Sequence, residues 1–169
     1  DTNSGNLCAV SGDTNLYIGN GDAACDSSTD TLVTGLTIDA GATLVLVDQG
    51  YWGGGYGTVW LANDMVLNGT IITDAASGLY IEANMIDVES SGRITTSATS
   101  DGSNAGEIYL GDGNNITKTI INRGTIEAKG LGSGSGGYVY FYADDLIVNY
   151  GTIEASGGRV SARRSELGG

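Results

Sequence analysis

Apolar residues in this chain come in short segments that alternate with polar residues at a period of two. Three kinds of segment recur in a fixed order, and Gly, Asn and Asp residues separate them. The aromatic segments are Val59-Trp60-Leu61, Leu79-Tyr80-Ile81, Ile108-Tyr109-Leu110 and Val139-Tyr140-Phe141. The aliphatic segments are Met65-Val66-Leu67, Met85-Ile86, Ile120-Ile121 and Leu146-Ile147-Val148. The G-[TR]-I segments are Gly69-Thr70-Ile71, Gly92-Arg93-Ile94, Gly124-Thr125-Ile126 and Gly151-Thr152-Ile153.

Short β-branched and aromatic segments with this alternation predict strands, and no window has a useful helical period. A more divergent unit comes first. Its aromatic, aliphatic and G-[TR]-I segments correspond to Leu16-Tyr17-Ile18, Leu36-Thr37-Ile38 and Ala42-Thr43-Leu44. Three short strands in each repeat are typical of a parallel β-helix. The prediction is an all-β, single-domain parallel β-helix of about five coils. We expect the coil to be right-handed, because crossover connections between parallel strands are right-handed as a rule.

The repeats also predict where the N-terminal segment, the coils and the C-terminal tail begin and end. Residues 1–15 form an N-terminal cap or docking segment, and residues 159–169 form a basic tail. Between them, residues 16–158 form the coils, which divide into 16–57, 58–77, 78–106, 107–137 and 138–158.

The aromatic segments predict an exposed ladder of rings on one face of the β-helix. If the flanking residues of each segment point inward, the middle residues point outward and stack on one another, namely Tyr17, Trp60, Tyr80, Tyr109 and Tyr140. Such a ladder stabilises a sheet by cross-strand contact. The alternative is that it binds sugars or a neighbouring protein.

Insertions follow the third segment of a repeat each time, so they are expected to lie side by side along one edge. They are DQGYWGGGYG (48–57), SATSDGSNAG (97–106) and KGLGSGSGG (129–137). The first contains Tyr51, Trp52 and Tyr56, which we interpret as an interface that contacts sugar or another subunit. Alternatively, Trp52 folds back over a neighbouring coil.

The net charge and the cysteine content limit the partners and the cellular location that the chain can have. A net charge of −13 with no histidine argues against a nucleic-acid partner, and no run of 18 apolar residues is present to span a membrane. Cys8 and Cys25 are the only cysteines, and a disulfide between them is the favoured interpretation. A first residue Asp1 agrees with removal of a secretory leader, so we expect a secreted protein at an extracellular surface.

Acidic positions suggest a calcium site more than a catalytic one. The oxygen-rich stretches 19–26 and 111–115 contain Asp22 and Asp112. Glu127 and Glu154 fall on one outward ladder, where like charges repel unless a cation or partner offsets them. We therefore expect no cofactor, with bound calcium left open.

Enzymatic activity is not expected. Glycoside hydrolysis needs two convergent carboxylates. Asp64, Asp144 and Asp145 follow aromatic segments, with Glu82 and Asp112 nearby, but acidic residues in such turns are ordinarily solvated. A polysaccharide-degrading enzyme is the most distant of the alternatives.

The phrases NRGTIEAKG and NYGTIEASGG, within residues 58–158, resemble the repeats of secreted bacterial β-helix proteins. The family is that of filamentous haemagglutinin-like adhesins and autotransporter passengers. The resemblance implies a surface or extracellular role in adhesion or structure.

The two ends of a β-helix need to be capped or paired. The segment 159–169 contains Arg159, Arg163 and Arg164, and we expect it to lie against another copy of the chain. The prediction is a structural protein that assembles head to tail into an extracellular filament, by coil stacking and tail insertion. The alternative is a non-polymerising adhesin that binds surface glycans through its aromatic residues.

Overall fold

The structure is a computed structural model that describes residues 9–10, 15–18, 36–46, 56–60, 64–73, 78–97, 101–111, 117–156 and 159–164. These residues form strands and turns only, so the fold is all-β. Within these ranges, no helix is long and apolar enough to cross a membrane.

The strands form three parallel sheets with a β-solenoid-like arrangement. The first sheet contains the aliphatic segments, in the order β1 (Ala9–Val10), β3 (Leu36–Ile38), β6 (Met65–Leu67), β9 (Met85–Val88), β12 (Thr119–Asn122) and β15 (Leu146–Asn149). The second contains the G-[TR]-I segments, in the order β2 (Asn15–Ile18), β4 (Thr43–Leu46), β7 (Thr70–Thr73), β10 (Arg93–Thr95), β13 (Thr125–Glu127) and β16 (Thr152–Glu154). The third contains the aromatic segments, in the order β5 (Tyr56–Trp60), β8 (Gly78–Glu82), β11 (Ile108–Leu110), β14 (Tyr138–Ala143) and β17 (Arg159–Arg164).

From β3 onward the chain visits the first, second and third sheets in turn, and every strand pairs in parallel with its equivalent one repeat away. In the second sheet the G-[TR]-I segments pair in register, so that Ile71, Ile94 and Ile126 lie in one column. The inward residues of the three sheets form one apolar core, in which these isoleucines are fully buried. Period-two alternation produces this core because successive strand residues face opposite sides.

The glycine of the G-[TR]-I signature is needed where neighbouring turns approach closely. A Cβ atom on Gly124 would lie 2.2 Å from the carbonyl oxygen of Gly92. The Asn two residues earlier supports the same turn, because Asn122 Oδ1 accepts a hydrogen bond from the Gly124 amide at 3.1 Å. Asn122 Nδ2 also donates to Asn149 Oδ1 at 2.7 Å. The N-x-G phrase is therefore a turn that stacks on its own copy in the next repeat.

The structure corrects the position of Tyr17. The strand β2 pairs with β4 in the second sheet, where Tyr17 lies opposite Val45. Tyr17 is therefore not in the sheet of the aromatic segments. The short strand β1 accounts for the difference. It pairs with β3 in the first sheet, and because the chain passes from the first sheet to the second, the next strand β2 lies in the second sheet.

The register of Trp60 also differs from the prediction by two residues. Thr58 lies opposite Tyr80, and Trp60 lies opposite Glu82. A shift of two residues leaves Val59 inward, where it is fully buried, so both registers satisfy the alternation equally well. The period-two pattern determines the face of a residue but not its partner.

The segment 159–169 is not a tail along its whole length. Residues Arg159–Arg164 form β17, which pairs with β14 in the third sheet over six residues. Arg159 lies opposite Tyr138, Arg163 opposite Tyr142 and Arg164 opposite Ala143. Insertion of this strand into another subunit would require its removal from its own sheet.

Candidate functional site

The outer side of the third sheet carries a cluster of five tyrosines, which we call the tyrosine face. Its members are Tyr80, Tyr109, Tyr138, Tyr140 and Tyr142. Pairing of β8, β11 and β14 places Tyr80, Tyr109 and Tyr140 opposite one another. The inward neighbours of these residues are buried in the core, which leaves the rings on the outside.

The rings of the tyrosine face contact one another both across and along the strands. Tyr109 and Tyr140 stack with centroids 4.5 Å apart, and Tyr80 lies 6.2 Å from Tyr109. Along β14, Tyr138 and Tyr142 lie 5.9 and 6.4 Å from Tyr140. Burial, with a smaller contribution from the charge of Glu107, raises the pKa of Tyr140. Tyr138 is 41% exposed, which makes it the most exposed residue of the tyrosine face.

The predicted aromatic ladder does not include Tyr138 and Tyr142, because it contains only the middle residue of each aromatic segment. The signal was present in the stretch YVYFY (138–142), where three tyrosines alternate with inward Val139 and Phe141. Period-two alternation over the whole stretch would have identified all three.

Glu127 and Glu154 lie in register on adjacent strands of the second sheet, as the repeats predict. The ammonium group of Lys129 lies where a cation was expected. Its Nζ atom is 3.1 Å from Glu127 Oε2 and 2.9 Å from Glu154 Oε2. Arg93 Nε donates to Glu127 Oε1 at 2.7 Å. Both carboxylates are therefore neutralised by side chains of the chain itself.

The pKa values of the two carboxyl groups follow from these contacts. The hydrogen bond from Arg93 is the main reason that the pKa of Glu127 is lowered. The hydrogen bond from Lys129 lowers the pKa of Glu154. Both groups are therefore held in the charged form at neutral pH.

The strands β15, β16 and β17 are the last in their sheets, and we call this surface the C-terminal end. No described strand pairs with their outer edges. Ile147 and Ile153 are only partly buried here, and Leu146 is 46% exposed. The core of the fold is therefore partly open at this end, next to strand edges that face no other described strand.

Acidic residues also gather at the turn from the third sheet to the first sheet. Asn84 Nδ2 donates to Asp64 Oδ1 at 2.8 Å, and Lys118 Nζ donates to Asp144 Oδ2 at 2.5 Å. Asp145 is exposed, whereas Glu82 is almost fully buried. Desolvation by burial raises the pKa of Glu82 to about 7.

The described part of the insertion 97–106, residues 97 and 101–106, lies beside the insertion 129–137, which confirms the prediction for two of the three insertions. Residues 48–55 of the other insertion lie outside the described residues. The amide of Gly102 donates to the Leu131 carbonyl at 2.9 Å, and the amide of Ala105 donates to the Ser135 carbonyl at 3.0 Å. Of the aromatic residues in the first insertion, Tyr56 is a strand residue opposite Gly78 rather than a loop residue.

The remaining predicted site residues lie outside the described residues. They are Cys8, Cys25, Tyr51, Trp52, Asp22 and Asp112. In the part of the chain that the structure describes, no group of three or more acidic or cysteine side chains is placed to hold a metal ion.

Comparison of the chain with protein families, with curated proteins and with solved structures gives no match. Function is therefore argued from the tyrosine face, the C-terminal end and the charge distribution.

Proposed function

We propose that the protein is a right-handed parallel β-helix, of about five three-strand coils, that assembles head to tail into an extracellular filament. The observation that carries the proposal is the C-terminal end, where partly exposed core residues lie beside strand edges that no described strand pairs. An edge of this kind is a template for a further coil. A second copy of the chain supplies that coil.

The register of the strands within one chain supports a specific fit between two copies. Within the chain, Leu16 of β2 lies opposite Leu44, and the column continues through Ile71 to Ile153. Placing β2 of a second copy on β16 would put Leu16 opposite Ile153, so the column of paired positions would continue into the second copy. The contact joins different surfaces of the two copies, so it repeats along one axis instead of closing.

Charge favours the same orientation. The first 92 residues contain twelve Asp and Glu and no Lys or Arg. All seven basic residues lie in the rest of the chain, three of them in β17 at the C-terminal end. An acidic leading half therefore meets the more basic end of the next copy, whereas contacts between two like ends bring like charges together.

Electron microscopy of native protein at neutral pH tests the proposal. The wild type is expected to form thin fibres. A variant with Ile147→Lys and Ile153→Lys is expected to stay dispersed, because stacking would bury two ammonium groups. Tyr150→Lys is the matched control, since Tyr150 lies at the same end, is 76% exposed and is not part of the core.

Two results would contradict the proposal. One is dispersed wild-type protein at every concentration, and the other is fibre formation by the double Lys variant. Circular dichroism of each variant shows whether it has kept its strand content.

The tyrosine face favours a second candidate function, a non-polymerising adhesin that binds surface glycans. Aromatic rings on a rigid sheet are suited to stacking against sugar rings. Under this alternative, wild-type protein is dispersed and is retarded by soluble polysaccharide in affinity electrophoresis. Tyr138→Ala should then abolish the retardation, while Tyr150→Ala should not.

A further inference from the structure

The rings of Tyr109 and Tyr140 make the closest described contact within the tyrosine face. The two residues lie opposite each other on the parallel strands β11 and β14. Their rings stack with centroids 4.5 Å apart and planes inclined by 12°. The other described ring contacts of the face have centroids 5.9 to 6.4 Å apart. The register of the sheet therefore holds one pair of phenol rings closer together than the rest.

The spacing of this pair suits a covalent bond between the two rings. In dityrosine, two phenol rings are joined directly through the carbon atoms next to their hydroxyl-bearing carbons. The centres of rings joined in this way lie about as far apart as those of Tyr109 and Tyr140. Coupling therefore requires the rings to turn about their side-chain bonds, while the strands keep their pairing. Groups held in contact also react faster than groups that must diffuse together.

A carboxylate lies next to the same pair. The hydroxyl group of Tyr109 donates a hydrogen bond to Glu107 Oε2 at 2.8 Å. A phenol that loses an electron becomes a strong acid and gives up its proton. A base within hydrogen-bond distance assists such a transfer. Glu107 is therefore placed to accept the proton of Tyr109 during oxidation.

An oxidant in solution can reach the pair through Tyr138. Tyr138 is 41% exposed, whereas Tyr109 and Tyr140 are half-buried. The ring of Tyr138 stacks on that of Tyr140, with centroids 5.9 Å apart. An electron taken from Tyr138 at the surface is replaced from Tyr140 across this contact. The unpaired electron thereby arrives at the stacked pair.

We propose that Tyr109 and Tyr140 form an oxidative cross-linking site, which hydrogen peroxide and a peroxidase convert to dityrosine. Each phenol loses one electron and one proton, and the two radicals combine through ring carbons. The hydrogen on each joined carbon then moves to the ring oxygen, which restores both phenols. Glu107 takes the proton of Tyr109 and passes it to water. The two electrons and two protons reduce one molecule of hydrogen peroxide to two molecules of water.

The cross-link joins β11 to β14, which are equivalent strands of consecutive repeats. It closes the part of the chain between Tyr109 and Tyr140 into a covalent loop. Such a loop lowers the conformational entropy of the unfolded chain, so the cross-linked protein resists unfolding more strongly. Both tyrosines belong to one chain, and the inference therefore does not depend on head-to-tail assembly.

The test is treatment of dilute wild-type protein with a peroxidase and hydrogen peroxide. The expected product is a monomer that shows dityrosine fluorescence. After proteolysis, mass spectrometry should find two peptides that are joined at Tyr109 and Tyr140 and have together lost two hydrogen atoms. The thermal midpoint of the product should exceed that of untreated protein. Cross-links mainly through other tyrosines, or only between different chains, would overturn the proposal.

Three variants make the result specific, and each keeps the size of the side chain. Tyr109→Phe should abolish the cross-link within the chain and the rise in thermal midpoint. Tyr142→Phe removes another hydroxyl group of the tyrosine face and, as the matched control, should behave like the wild type. Glu107→Gln should slow the reaction several-fold and leave the linked positions unchanged, because an amide does not take up the proton. Equal yields from Tyr109→Phe and wild type would overturn the site, and an unchanged rate in Glu107→Gln would overturn the role of Glu107.

Discussion

The stretches 122–128 and 149–155 have nearly the same sequence but different environments. They read NRGTIEA and NYGTIEA, and differ only at Arg123 and Tyr150. Ile126 is fully buried, whereas the equivalent Ile153 is only partly buried. The strand β13 has β10 and β16 on its two sides, whereas among the described strands β16 pairs with β13 alone.

The difference in burial between Ile126 and Ile153 arises because no described strand lies on the outer side of β16, and not from the residues themselves. The same Asn, Gly and Ile build a closed core in one repeat and an open edge in the next. Burial in this fold is therefore a property of stacking, as expected for repeat proteins in which each unit contacts only its neighbours. A further coil would convert the second environment into the first.

The largest expected contrast is between the two isoleucines. Ile126→Ala should lower the free energy of unfolding by about 2–5 kcal/mol, because it leaves a cavity in a closed core. Ile153→Ala should cost about 1 kcal/mol in dilute protein, since its side chain is partly in solvent already. Urea unfolding of both variants measures the contrast. Equal losses in dilute protein would show that the C-terminal end is closed.

The two asparagines give a smaller contrast. Asn122 donates to Asn149 Oδ1 and accepts from the Gly124 amide, and it is buried. Asn122→Ala should cost about 1–3 kcal/mol, because it leaves buried polar groups without partners. Asn149→Ala should cost less, since Asn149 is exposed and its lost contacts can be replaced by water. A larger loss for Asn149→Ala in urea unfolding would contradict this order.

Lys129 should give the smallest effect, and one that depends on pH. Lys129→Met leaves Glu127 and Glu154 facing each other, with Arg93 still paired to Glu127. The urea midpoint at neutral pH should fall slightly. The pKa of both carboxyl groups is lowered in the folded protein, so their contribution to stability is present above the ordinary value and is lost as the pH falls.

The difference between wild type and Lys129→Met should therefore disappear in acid, once both carboxyl groups are protonated. Lys129→Arg keeps the charge and serves as the control. A difference that persists unchanged at low pH would mean that Lys129 contributes by packing and not by charge.

Much of the fold could be predicted because, from β3 onward, each class of segment marks one sheet. The G-[TR]-I signature fixes its own register, since the glycine must stand where turns approach closely. Trp60 shows the limit of this reasoning. Its segment keeps the same residues inward after a shift of two, so alternation could not identify its partner.

Less of the candidate sites could be predicted. The Lys129 bridge depends on how the chain leaves β13, and sequence alone indicates only that Glu127 and Glu154 repel each other. Glu82 occupies an outward position by alternation and is nevertheless buried. Both features arise from tertiary geometry that no local pattern encodes.

Head-to-tail assembly is measured most directly by hydrogen exchange at low and high protein concentration. Amides of β12 and β13 serve as an internal reference, because both strands already have neighbours on two sides. If copies stack at the C-terminal end, protection of β15 and β16 rises with concentration towards that of β12 and β13. Exchange in β15 and β16 that is independent of concentration, while β12 and β13 stay protected, would contradict head-to-tail assembly.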